Sequence, residues 1–394
     1  MVLTEKQRLG LEIAVSRFNA GEAWTCVAGY AGTGKSTLIK FIIAALDIDP
    51  QKDVCYVAYT GKAATVLQQK GCPNATTAHK LLYNAKPMPN GTFKFVKKPN
   101  IDYKVVVVDE ISMLPKPMWD QLLAHNAYIL AAGDPGQLPP VDKDMDNHVL
   151  DNPHVFLDEI MRQAQDSEII RLSMWIREGK PVSQFPAEGK QVQIFTKDQV
   201  VTGMFDWADQ ILCATNNKRN EINNFVRKQK GFGSEPCEGD KVISLHNHWD
   251  YLSNSETWAL TNGCIGTLQY FYKQTHYLPR YVKSEPIDVL YSTIELDDGD
   301  CFTGTPIDYK ALTTGEVALD GHQCFMLRRN KVAIDPPYDF AYAYAITCHK
   351  AQGSEWDKVL VFEEKFPYNK EEHKRWLYTA VTRARDKVVI VRDS

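Results

Sequence analysis

The 394-residue sequence predicts an α/β protein, with two modules built on parallel sheets, a β-hairpin inserted in the first and a small β domain inserted in the second. Three observations carry this reading. Over the first 180 residues short apolar runs alternate with helical patterns, as in a parallel sheet with crossover helices. Residues 236–331 lose that rhythm and are rich in glycine, tyrosine and β-branched runs. After Pro336-Pro337 the alternation returns.

Strands are expected at 24–28, 54–58, 105–108 and 128–132, and helices at 5–19, 35–46, 62–70 and 117–125. Val105-Val106-Val107-Val108 is the clearest strand, because a parallel strand covered on both faces reads as one apolar run. Between 87 and 98, Asn90-Gly91 marks a hairpin, since both turn positions need positive φ. Phe93 and Phe95 share one face of the returning strand and Lys94 takes the other, an apolar pair where a loop tip is normally polar. The stretch 142–168 reads as a solvated linker and helix face. Within the β insertion, strands are expected at 241–245, 266–272, 289–295 and 323–328, with no helical period. The second module resumes with a helix at 340–351 and strands at 358–362 and 387–392.

A hydrophobic fraction of 44% and a charged fraction of 24% exclude fibrous and wholly disordered chains. Lys and Arg total 45 against 49 Asp and Glu, so the net charge of −4 gives no global pull toward a polyanion. Locally the picture changes. Between Asp53 and Asp102 no acidic residue occurs, yet there are seven lysines, at 62, 70, 80, 86, 94, 97 and 98. Such a basic stretch suits a nucleic-acid strand held through its phosphates. The nine cysteines contain no C-x-x-C pair, which argues against a zinc ribbon or disulfide framework and fits a reducing compartment. No stretch approaches the roughly 20 apolar residues of a membrane span, and the polar N-terminus lacks a signal peptide's apolar core. The expectation is an intracellular soluble protein with no membrane partner.

Gly29-Tyr30-Ala31-Gly32-Thr33-Gly34-Lys35-Ser36 fits G-x-x-x-x-G-K-[ST], between an expected strand and an expected helix. Backbone N–H groups of such a loop cradle phosphate oxygens; Lys35 reaches the β and γ phosphates and Ser36 can ligate Mg²⁺. Asp109-Glu110 closes the run of four valines. A carboxylate at the end of a buried strand can hold Mg²⁺, the role assigned to Asp109, and Glu110 is placed to polarise an attacking water. ATP and Mg²⁺ are therefore the expected cofactors.

With these motifs in hand, the chain resembles the superfamily 1 helicases, and within them the 1B branch of Dda-like and RecD-like enzymes. Leu3-Thr4-Glu5-Lys6-Gln7 is similar to their Q-motif, Ala58-Tyr59-Thr60-Gly61-Lys62-Ala63-Ala64 to motif Ia, and Thr76-Thr77-Ala78-His79-Lys80-Leu81-Leu82 to the DNA-contact motif that follows. Gly133-Asp134-Pro135-Gly136-Gln137-Leu138-Pro139-Pro140 resembles motif III and Arg162-Gln163 motif IV. Thr347-Cys348-His349-Lys350-Ala351-Gln352-Gly353-Ser354-Glu355 is similar to motif V, and Tyr378-Thr379-Ala380-Val381-Thr382-Arg383-Ala384-Arg385 to motif VI.

The resemblance implies two RecA-like domains with ATP between them: 1–178 carrying a hairpin pin at about 85–102, then 179–235 with 332–394, interrupted by an SH3-like domain at 236–331. It implies that Gln7 reads adenine and that Gly32, Thr33, Gly34, Lys35, Ser36, Thr37 and Glu355 surround the nucleotide. Lys35, Asp109, Glu110, Gln137 and the arginine fingers Arg162 and Arg383 would carry hydrolysis. Thr60, Lys62, His79, Asn216, Thr347 and His349 would hold single-stranded DNA, with Phe93 and Phe95 at the fork. The implied activity is 5′-to-3′ translocation and unwinding by a cytoplasmic monomer of a bacterial cell or phage-infected host, on single-stranded and forked duplex DNA. Single-strand-binding or replication proteins are the partners such an enzyme would meet. A translocase or remodeller without strand separation, an RNA helicase and a nucleotide-switched binding module are the alternatives. His246-Asn247-His248 makes no metal site without further ligands, and Tyr342, Tyr344, Trp356 and Trp376 read as core.

Overall fold

The computed structural model describes residues 3–87, 93–139, 143–161, 165–256, 258–282, 284–330, 336–366 and 369–393. In chain order the first strands are β1 (Trp24–Gly29), β2 (Val54–Ala58), β3 (Thr76–Thr77), the hairpin pair β4 (Tyr83–Pro87) and β5 (Phe93–Lys97), β6 (Val105–Val108), β7 (Tyr128–Gly133) and β8 (Val155–Leu157). All but the hairpin form one parallel sheet in the order β3-β2-β6-β7-β1-β8. Ala14, Leu38 and Ile42 cover one face, and Leu82, Ile111 and Trp119 the other. That two-sided burial is why its central strands are continuous apolar runs.

A second parallel sheet combines β9 (Val192–Thr196) and β10 (Gln210–Cys213) with strands more than 130 residues later. The chain between them forms β11 (Lys241–Ser244), a ribbon of β12 (His248–Leu252) and β13 (Ala259–Leu260), then β14 (Ile265–His276), β15 (Ile287–Glu295), β16 (Cys301–Asp308) and β17 (Phe340–Tyr342). With β18 (Ala345–Thr347), β19 (Trp356–Phe362) and β20 (Ala384–Arg392), the second sheet runs β18-β10-β19-β20-β9. The intervening strands make an antiparallel sheet, β16-β15-β14-β11-β17. At its entrance Arg227 clamps the buried Asp240 through two bonds of 2.9 and 3.1 Å, anchoring β11 to the helix Asn216–Gln229. Such a fork-to-carboxylate pair fixes geometry in a way a point charge does not.

Several expectations are corrected. The helix expected at 340–351 is β17, β18 and only a short helix, Cys348–Ala351. Phe340 and Tyr342 alternate with half-buried Ala341, and long-range pairing to β11 prevails over the helical propensity of the alanines. Residues 323–328 are helical, within Gly321–Arg329, and Tyr309–Thr314 is a second helix of the insertion. The stretch 142–168 contributes β8, whose Val155 and Leu157 are buried against β1. The helix Glu168–Arg177 places Ile169, Leu172 and Ile176 in the core of the second sheet. Asn90-Gly91 lies outside the described residues, although β4 and β5 pair antiparallel on either side of it, with Pro87 opposite Phe93. Trp356 and Trp376 are core, as expected. Among the described residues no helix is long and apolar enough to cross a membrane.

Candidate functional site

Three neighbouring strands deliver one edge of the site. Ala28 pairs with Gly133 and Val108 with Ala131, so the P-loop, Asp109-Glu110 and the Asp134–Gln137 turn leave the sheet together at its carboxyl ends. This is where open α/β sheets bind ligands. Gly32 and Gly34 have φ of 77° and 80°, the left-handed region that favours glycine. A side chain at Gly29 would meet Thr33 Oγ1 at 2.8 Å and Leu157 Cβ at 2.9 Å.

The loop runs into the helix Lys35–Ala45, whose N-terminal N–H groups make a ready anion site. Lys35 Nζ donates to the carbonyls of Gly29 at 2.7 Å and Tyr30 at 3.1 Å. Ser36 is exposed and Thr37 half-buried. Gln7 is buried; its Oε1 accepts from Thr4 N–H at 3.0 Å and its Nε2 donates to Thr33 O at 3.2 Å. The amide expected to read adenine thus ties the first helix to the P-loop. Glu355 is exposed, next in the chain to Ser354, whose carbonyl accepts from Arg383.

Burial, and then the neighbouring Glu110 carboxylate, push the Asp109 pKa up to about 6, with Lys35 opposing. A half-buried carboxylate that repels its neighbour, together with an exposed hydroxyl at Ser36 on the P-loop helix, is a donor set that suits Mg²⁺. That ion takes one or two carboxylates and leaves the rest of its octahedron to phosphate and water. Asp109 and Ser36 would hold it. Among the described residues no three His, Cys, Asp or Glu side chains gather into a metal cage.

Glu110 has φ 51°, an uncommon conformation for a residue other than glycine, and it turns the carboxylate toward the second module. There Arg383 Nη1 lies 4.0 Å from Glu110 Oε1. Gln137 sits between them. With its amide nitrogen toward Glu110 it donates to Oε2 at 3.2 Å, and its oxygen accepts from Arg383 Nη2 at 3.2 Å. Arg383 is buried and donates to the carbonyls of Thr379 and Ser354, which fix its fork. Arg162 lies outside the described residues.

Alongside, a cavity of about 580 Å³ is lined by Thr60, Lys62, His79, Asn216, Thr347 and His349. The structure therefore brings together these six candidates from both modules. Thr60 and Thr347 are also the N-caps of the helices Gly61–Gln69 and Cys348–Ala351. His79 lies between the rings of Tyr59 and Tyr83, at 6.0 and 6.3 Å. Lys62 is less a free cation than its sequence position suggests. Its ammonium lies 4.9 Å from the Trp356 ring centre, and burial lowers its pKa against the pull of Asp297. Phe95 is 51% exposed and lines an adjoining cavity of about 410 Å³ that shares His79 and is walled opposite by Leu252 and Glu256. Phe93 is described through its backbone in β5.

Sequence reasoning gave no role to Lys350, although it lies in the motif V stretch, or to Asn262; the two bond to each other at 2.5 Å on the cavity wall. It quoted Asp134 and Tyr378 without a role, although they meet in the nucleotide cleft. Asp134 at a strand end was the available signal.

Two parallel sheets, a P-loop on one and a buried arginine from the other meeting across a cleft define a two-module P-loop protein. A family model described as an AAA domain matches residues 3–199, half of the chain, and one described as a UvrD-like helicase C-terminal domain matches 342–391. The chain belongs to the superfamily 1B helicases, in the Dda- and RecD-like group. It is 28% identical over 93% of its length to the ATP-dependent RecD2 DNA helicase of Deinococcus radiodurans, covering 47% of that protein. It is 26% identical over 58% of its length to the ATP-dependent DNA helicase dda of phage T4, covering 57% of it. The chain thus spans about half the length of these curated relatives. Its fold matches the Bacteroides Pif1 helicase crystallised with ADP-AlF3 and single-stranded DNA, with a TM-score of 0.55 at 18% identity, covering 99% of this chain and 92% of that one.

Proposed function

We propose that this protein is an ATP-dependent DNA helicase that moves 5′ to 3′ along single-stranded DNA and separates duplex ahead of it. The Glu110–Gln137–Arg383 contact carries the reading, because it joins the base, a γ-phosphate sensor and a cation from two modules in one cleft. Bound Mg²⁺-ATP would supply the reactive phosphoryl group and a cation that offsets its charge. Lys35 would offset phosphate charge and Asp109 and Ser36 would hold the ion, while Glu110 takes the proton of the attacking water and Arg383 stabilises charge in the transition state. The six residues around the larger cavity grip the strand, and their division between the modules lets opening and closing of the cleft become steps along it. The relatives named as DNA helicases, and the Pif1 structures with single-stranded and forked DNA, support DNA as the track.

Action as a monomer in the cytoplasm belongs to the same proposal. An unwinding assay on forks with a 5′ or a 3′ tail, each in DNA and in RNA, tests it. Preferred unwinding of the 5′ DNA tail is expected, and faster unwinding of the 3′-tailed fork would overturn the direction.

A further inference from the structure

Tyr378 stands on the helix Lys370–Val381 of the second module, yet its hydroxyl reaches the phosphate loop of the first. Ala31 N–H donates to Tyr378 Oη at 2.9 Å, and the same hydroxyl donates to Asp134 Oδ2 at 2.5 Å. Asp134 Oδ1 accepts from Gly136 N–H at 2.8 Å, and the Asp134 carbonyl accepts from Gln137 N–H at 3.2 Å. Tyr378 is 0% exposed and Asp134 1%, so neither has water as a substitute partner. The ring also fits tightly, since a Cβ on Gly136 would stand 3.0 Å from Tyr378 Cε1. A second contact reaches the same loop from another element. The Arg177 guanidinium carbon lies 3.3 Å from the centre of the Tyr30 ring, and Arg177 ends the helix Glu168–Arg177.

These contacts share a consequence. The hydroxyl that receives the Ala31 proton gives its own to a carboxylate, and a hydrogen bond to a carboxylate makes the oxygen a better acceptor. Ala31 N–H belongs to the backbone that a phosphate-binding loop uses, and its direction is set by a residue of the opposite module. From Asp134 the chain continues in three residues to Gln137, which faces Glu110 and Arg383. We infer that Tyr378, with Asp134 as its acceptor and Arg177 on Tyr30 beside it, is a positioning residue that sets the first turn of the phosphate loop when the two modules close. It reports closure to the phosphate cradle and to Gln137 together. The inference rests on the proposed ATP hydrolysis in this cleft.

The test is Tyr378→Phe in the full chain, which keeps the ring and removes the hydroxyl. The DNA-stimulated kcat should fall about tenfold, as expected for losing a hydrogen bond to a charged group. Affinity for a fluorescent non-hydrolysable ATP analogue without DNA should stay within about twofold, because that binding does not require closure. The melting temperature should stay near that of the wild type. An unchanged kcat overturns the inference. So does a kcat that falls in step with analogue affinity and melting temperature, since that is the result of lost packing. Should Tyr378→Phe fold poorly, Arg177→Lys carries the same test, because an ammonium cannot lie flat on the Tyr30 ring. A lower kcat at unchanged analogue affinity then supports the inference, and an unchanged kcat overturns it. Lys35→Ala separates this from the underlying reading. If it still hydrolyses ATP at the wild-type rate the cleft is not the ATPase site, whereas a dead Lys35→Ala beside a normal Tyr378→Phe removes the positioning role alone.

Discussion

Glu110 and Arg383 face each other at 4.0 Å from two different sheets, with Gln137 bridging them. Neither parallel sheet holds a complete catalytic set. In the proposed mechanism hydrolysis therefore requires the modules to be closed, and anything that closes them, such as a strand bound across both, should raise the rate.

Glu110→Gln keeps the shape of the side chain and removes the base. ATP binding should persist, while DNA-stimulated turnover should drop by about 10²–10⁴, the usual worth of a general base. Nucleotide affinity by equilibrium titration and steady-state phosphate release check both halves. Near-normal turnover would remove Glu110 from that role.

Much of this cleft was legible in the sequence. The P-loop glycines need a conformation few other residues take, and Val105–Val108 could be little else than a buried strand ending in Asp109-Glu110. Other features depend on partners far along the chain. β17 reads as helix until Tyr342 is paired with Val242, and β8 reads as linker until Val155 lies beside Val27. The helix Gly321–Arg329 carried a readable signal, the Asp320–Gln323 capping box, in a stretch judged by its β-branched neighbours. Tyr378 and Asp134 are 244 residues apart, and no local spacing encodes their contact.

The inserted β domain docks on the first module through a glycine. A Cβ on Gly61 would stand 2.3 Å from Thr261 Oγ1 and 2.7 Å from Thr261 Cβ, and Thr261 is buried. Alanine at a helix's first residue is otherwise benign. Gly61→Ala should therefore weaken single-stranded DNA binding, by fluorescence anisotropy, more than it lowers the melting temperature. Thr261→Gly in the same chain should restore part of it. No recovery would mean that the clash is not the cause.

His248 is stacked on Tyr338 at 3.7 Å, and burial first, then His246 and Arg328, lower its pKa to about 4. The unfolded chain takes up this proton near pH 6.5, well before the folded one does. The stability that neutral His248 supplies is thus complete above about pH 6.5 and lost as pH falls toward 4. Melting curves across that window should be flatter for His248→Phe than for the wild type. Parallel curves would assign the acid sensitivity elsewhere.

The final prediction concerns the hairpin β4–β5. Phe95 is 51% exposed beside a cavity that adjoins the proposed strand path at His79. On such an exposed ring a freed base would find a stacking surface worth about 1–3 kcal/mol. Opening one base step costs about 0.6–2.2 kcal/mol, so one ring covering one base is enough to hold a fork open between steps. Lys98, whose ammonium donates to the Lys80 carbonyl at 2.9 Å, fixes the hairpin base to the helix Ala78–Leu82. The ring is therefore carried on a braced element. Phe95→Ala, alone and with Phe93→Ala, should reduce unwinding of a 5′-tailed fork several-fold while leaving ATP hydrolysis on single-stranded DNA near the wild-type rate. Unchanged unwinding in the double variant would exclude the pin. A joint fall of both activities, with a lower melting temperature, would give the phenylalanines a packing role instead.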